Sequence, residues 1–117
     1  MELHEAVINF INHFTDRGNR PQVIDTFTNG CCYWFAEILW LRFYLNEDIS
    51  DCEIVYDPLY NHWACQINGK IYDIRGDITT DLKYSWENWF EYAKLDTLET
   101  ARLYRDCINF DNVERDD

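Results

Sequence analysis

The sequence predicts an α+β domain in which helices from both ends of the chain enclose a small antiparallel sheet. Three observations predict it. Apolar residues recur at helical spacing over residues 3–16 and again over 31–45. Around Asn68-Gly69 they alternate with period two instead. Behind Ser85 and Asp96 the helical spacing returns. Of the 117 residues, 47% are hydrophobic and 17% aromatic, enough to close a real core in one domain. Residues 1–110 are assigned to that domain, and 111–117 to a flexible acidic tail.

In the first helix, Leu3, Val7, Phe10, Ile11 and Phe14 fall on one face, and Gly18 ends it. Residues 18–30, "GNRPQVIDTFTNG", read as a loop. The second helix spans 31–45, with Cys32, Phe35, Ala36, Leu39, Trp40 and Phe43 on one face. "CEIVYD" reads as a strand. In "NHWACQINGKIYDIRGD" a two-residue type I′ turn at Asn68-Gly69 fixes the register. Ile67 then faces Lys70, Gln66 faces Ile71, Cys65 faces Tyr72, Ala64 faces Asp73, Trp63 faces Ile74 and His62 faces Arg75. The Trp63, Cys65, Tyr72 and Ile74 face is apolar. Ser85 is read as the cap of a helix through "WENWFEYAK", and Asp96 with Glu99 as the start of a last helix.

The net charge of −12 argues against direct nucleic-acid binding, since phosphates would be repelled, and permits a basic protein partner. The chain has no apolar run of the roughly 20 residues that span a bilayer. "MELHEAVINF" lacks the basic start of a secretion signal, so a cytoplasmic location is expected, that of the host if the chain is phage-encoded. Cysteines 31, 32, 52, 65 and 107 form no zinc spacing, and His4 and His13 lie too far apart for a helical metal pair. No cofactor is expected.

The chemistry concentrates in three placements. Cys32 begins a helix, where unpaired N–H groups and the dipole favour thiolate. His62 begins a strand. The hairpin returns Asp73 to the same face as a diagonal neighbour, about 7–8 Å away at Cα, within reach of a carboxylate–imidazole hydrogen bond. Each residue has a plainer reading: a core thiol, a surface histidine, a turn aspartate. Their order matches nucleophile, base and orienter. The Cys32 N–H is a candidate oxyanion donor, with Asn29, Gln22 and Asn61 as candidates for a second. Cys31, Trp63 and Trp86 are candidates for the wall of a substrate groove.

The segment "NGCCYWFA" resembles the nucleophile segment Gly-x-Cys-Tyr-x-Phe-Ala of small papain-like cysteine hydrolases, many of them phage-encoded. "NHWACQINGKIYDIRGD" is similar to their His-strand and the Tyr-Asp-x-x-Gly strand that follows. The wider group includes NlpC/P60 and transglutaminase-like enzymes. The resemblance covers residues 28–77. It implies a papain-like fold with Cys32 as nucleophile, His62 as base and Asp73 as orienter. The doubled Cys31-Cys32 departs from the usual single cysteine.

Two functions are expected. One is a thiol hydrolase, peptidase, amidase or acyl transferase, acting on a peptide or protein through a thioester. The other is a non-catalytic acidic inhibitor that occupies a basic nucleic-acid-handling protein, as anti-CRISPR proteins do.

Overall fold

The computed structural model describes residues 2–29, 31–47 and 49–95. The expected last helix, Cys107 and the acidic tail lie outside them. The order is α1 (Leu3–Thr15), α2 (Arg20–Asn29), α3 (Cys32–Phe43), β1 (Cys52–Asp57), β2 (His62–Ile67), β3 (Lys70–Asp73), β4 (Gly76–Asp77), β5 (Glu87–Asn88) and α4 (Trp89–Leu95). The strands form one sheet in the order β4-β3-β2-β1-β5, and every neighbouring pair is antiparallel. The class is α+β.

The β2–β3 hairpin follows its turn chemistry. Asn68 and Gly69 have φ of 49° and 80°, the left-handed pair that a type I′ turn requires. The ladder pairs Ile67 with Lys70, Gln66 with Ile71 and Cys65 with Tyr72, the register the turn predicts. The alternation does not continue to Arg75. The chain turns at Ile74-Arg75 and re-enters the sheet as β4, with Asp73 paired to Gly76. Gly76 has φ of 110°, which a side chain would resist, and the Asp73 carboxylate accepts a hydrogen bond from the Arg75 amide at 2.8 Å.

Period two sorts the sheet into two faces. Ile54, Tyr56, Trp63, Cys65, Ile67 and Tyr72 join the core under α3, built with Cys32, Phe35, Ala36, Leu39 and Phe43. Val7 and Ile11 of α1 close its far side. Each large apolar side chain fully buried here contributes about 1.5–3 kcal/mol. On the other face, Val55, Ala64, Ile71 and Ile78 form a smaller cluster covered by Tyr84 and Trp86.

Two expectations are corrected. Residues 20–29 are a helix, not a loop. Asn19 caps α2 by accepting from the Gln22 amide at 3.2 Å, and Pro21 sits in the first turn, where its missing N–H is harmless. Ser85 does not cap the next helix either. Glu87–Asn88 first pairs with β1 as an edge strand, and the Asn88 side chain then accepts from the Glu91 amide at 3.0 Å to start α4.

Candidate active site

The site forms where the first turn of α3 meets the first residue of β2. Cys31 precedes α3, and its amide donates to the Thr26 carbonyl at 3.0 Å, fastening the end of α2 to the start of α3. That junction presents Cys32 to the turn before β2. Its Sγ lies 3.9 Å from the Asn61 carbonyl oxygen. Asn61 has φ of 50°, and its side-chain oxygen accepts from the Tyr56 hydroxyl at 2.8 Å, which fixes the turn that delivers His62.

His62 and Asp73 alternate with Trp63 and Tyr72 of the α3 core and so lie on the other sheet face, and Cys32 is a further hydrogen-bond partner of the His62 side chain. His62 Nε2 is 2.9 Å from Asp73 Oδ2. Burial by itself pushes the imidazole down. Hydrogen bonding to Asp73, which accepts from the ring, and to Cys32, together with their charge, outweighs it and carries His62 up to about 9. Since Asp73 occupies Nε2, Nδ1 is the nitrogen left for the thiol. Burial pushes the Asp73 carboxyl up, but His62 and Arg75 together hold it below its usual range. Cys32, His62 and Asp73 are 5%, 4% and 3% exposed, so the three groups sit almost out of bulk water, with a sliver of surface each.

Arg75 was not among the residues the sequence singled out for chemistry. Its Nε and Nη2 donate to Asp73 Oδ2 at 2.9 and 2.5 Å, and Nη2 also donates to the Tyr84 hydroxyl at 3.0 Å. The Tyr84 ring stacks on His62 at 5.3 Å, and Trp86 stacks on Tyr84 at 4.7 Å. The signal for Arg75 was its expected place opposite His62; its grip on Asp73 depends on the turn at Ile74-Arg75.

The remaining candidates are dispersed. Gln22 is exposed in the first turn of α2, about 10 Å of helix away from the end that adjoins Cys31. Asn29 is the last residue of α2. Cys31 and Trp63 are buried in the core rather than along a groove. Trp86 lines an open depression of about 360 Å³ with Asp57, Pro58, Leu59, Ser85 and Glu87, a lining that includes none of Cys32, His62 and Asp73. Asp57 is fully buried and pairs at Cα with His62. Its Oδ1 accepts from the Leu59 and Tyr60 amides at 2.8 and 3.3 Å, and its Oδ2 from the Ser85 amide at 3.1 Å.

Among the described residues the cysteines are all free thiols, and no three His, Cys, Asp or Glu side chains gather as a metal-ion site. Cys52 and Cys65 have their sulfurs 4.0 Å apart. Their mutual hydrogen bond lowers Cys52 and, with burial, raises Cys65. Among the described residues no helix is long and apolar enough to cross a membrane.

The chain matches the Phage YunG-like protein family over residues 7–103 and belongs to it, which makes it a phage-associated protein. No curated protein and no solved structure matches the chain.

Proposed function

We propose that this member of the Phage YunG-like family is a thiol hydrolase of papain-like type, acting on a peptide or amide bond. The observation that carries the reading is a single imidazole held between a carboxylate and a thiol, with Asp73 at 2.9 Å on Nε2 and Cys32 as its other partner. In the productive state the proton shared by sulfur and ring resides on His62, and the sulfur is the nucleophile. It attacks the carbonyl carbon, and the Cys32 N–H in the first turn of α3 is the donor offered to the oxyanion that forms. The His62 proton passes to the leaving amine as the C–N bond breaks, which leaves a thioester on Cys32. The neutral imidazole then takes a proton from water as its oxygen attacks the thioester carbon. Collapse releases the acid and returns the proton to the sulfur–imidazole pair. An amine in place of water gives acyl transfer by the same steps. Asp73 holds the ring's tautomer and orientation throughout.

The test is iodoacetamide alkylation of the folded protein across pH, with each cysteine followed by peptide mass spectrometry. Cys52, whose thiol is lowered by Cys65 and not by His62, is the internal reference. Cys32 is expected to react faster than Cys52 in the parent, and His62→Ala is expected to slow it at least about tenfold while leaving Cys52 unchanged. Equal Cys32 rates in the parent and His62→Ala would overturn the reading.

The net charge of −12 favours a second reading, capture of a basic nucleic-acid-handling protein of the host by an acidic phage-family chain. Its mark would be binding that weakens steeply with salt and survives Cys32→Ala.

A further inference from the structure

Asp73 Oδ2 is the crowded atom of the site. It accepts from His62 Nε2 at 2.9 Å and from two nitrogens of Arg75, at 2.9 and 2.5 Å. The second carboxylate oxygen is taken by the Arg75 amide. Arg75 Nη2 also stands 3.4 Å from His62 Nε2. Two nitrogen donors aimed at one oxygen do not bond each other, and both carry positive charge once the ring is protonated. The guanidinium therefore does two things to its neighbour. It locks the carboxylate in the plane and position that the imidazole uses. It also draws on the same negative charge and repels the imidazolium.

The circuit closes through Tyr84. Its hydroxyl accepts from Arg75 Nη2 at 3.0 Å, and its ring lies over the His62 ring with an angle of 24° between planes. Arg75 is thus joined to His62 by two routes, through the carboxylate and through the stacked phenol. Among the described residues, other titratable groups also come near His62. Cys32 comes from α3. Asp57 comes from β1, with both oxygens engaged by backbone amides. Lys83 lies over the outer Tyr84 ring at 5.0 Å.

We propose that Arg75 is a positioning residue of this site: by sharing Asp73 Oδ2 with His62, it fixes the carboxylate and limits how firmly the pair retains the proton of the imidazole. A histidine gripped too tightly by a free carboxylate would be slow to hand its proton to a leaving group. Arg75 moderates that grip without touching substrate. The inference rests on the thiol-hydrolase reading for its purpose, but its physical content stands apart from catalysis.

The experiment is an NMR titration of the His62 imidazole in the folded protein, for the parent, Arg75→Gln and Arg75→Lys. Arg75→Gln keeps a donor at the carboxylate and removes the charge. It is expected to raise the His62 midpoint by about one unit, a tenfold tighter hold on the proton. Arg75→Lys keeps the charge and loses the two-nitrogen fork, so its midpoint should fall between the other two. A His62 midpoint unchanged or lowered in Arg75→Gln overturns the proposal. If Arg75→Gln fails to fold, a rise in Arg75→Lys supports the proposal and an unchanged or lowered midpoint overturns it. Because the titration reads the ring directly, a rise in Arg75→Gln alongside a Cys32 indifferent to His62 would leave the circuit standing and remove the hydrolase reading alone.

Discussion

His62 Nε2 and Asp73 Oδ2 meet at 2.9 Å with both residues at least 96% buried, a pair that keeps only a sliver of surface. The sign of its pH dependence follows. His62 is raised to about 9, so its contribution is fully present below its unfolded value near 6.5 and is lost as pH rises through about 9. Asp73 is lowered, so its contribution is present above its unfolded value near 3.8 and is lost as pH falls through the folded one. Stability from the pair should therefore be greatest between about pH 4 and 6.5 and decline from there to about pH 9. Urea unfolding of the parent and His62→Gln at pH 6 and pH 10 checks this. The difference between the two proteins is expected to shrink by on the order of 2–3 kcal/mol at the higher pH. A difference that does not change with pH would rule the charged pair out.

The start of α4 separates two caps. Asn88 supplies the side-chain oxygen that meets the Glu91 amide, whereas Ser85 uses its backbone N–H to reach Asp57. Asn88→Ala is expected to cost about 1 kcal/mol in chemical denaturation, and Ser85→Ala within about 0.5 kcal/mol of nothing. The reverse ranking would place the cap at Ser85.

Gly69 tests the turn. A Cβ there would meet open space, so any penalty comes from the backbone, held at φ of 80°. Gly69→Ala is expected to lose about 1–2 kcal/mol of unfolding free energy without altering the His62 titration, because the register is unchanged. A gain in stability would mean that the left-handed conformation is absent.

The hairpin was legible because Asn-Gly is a turn signal with a mechanism and period two carries its register outward from there. That is why His62 and Asp73 could be set side by side from the sequence. The α3 face was legible from Cys32, Phe35, Ala36, Leu39 and Phe43, all buried. α2 was missed because "RPQVIDTFTN" shows little apolar periodicity and carries Val, Ile, Thr and Pro, while its true signal, Asn19 capping a helix with Pro21 in the first turn, is short. β5 is two residues long, too brief for any periodicity, and it pushed the start of α4 from Ser85 to Asn88. Arg75 escaped because its role arises from a chain reversal after Asp73. A period-two reading carries the strand straight through that point.

One carboxylate, that of Asp57, rivets Leu59, Tyr60 and Ser85 together through their main-chain amides. The two stretches that border the Trp86 depression are thereby welded into a single panel. Loosening the Ser85 edge would leave Oδ2 of the buried Asp57 side chain without its amide donor, and loosening the Leu59-Tyr60 edge would do the same to Oδ1, so the two edges are expected to yield together.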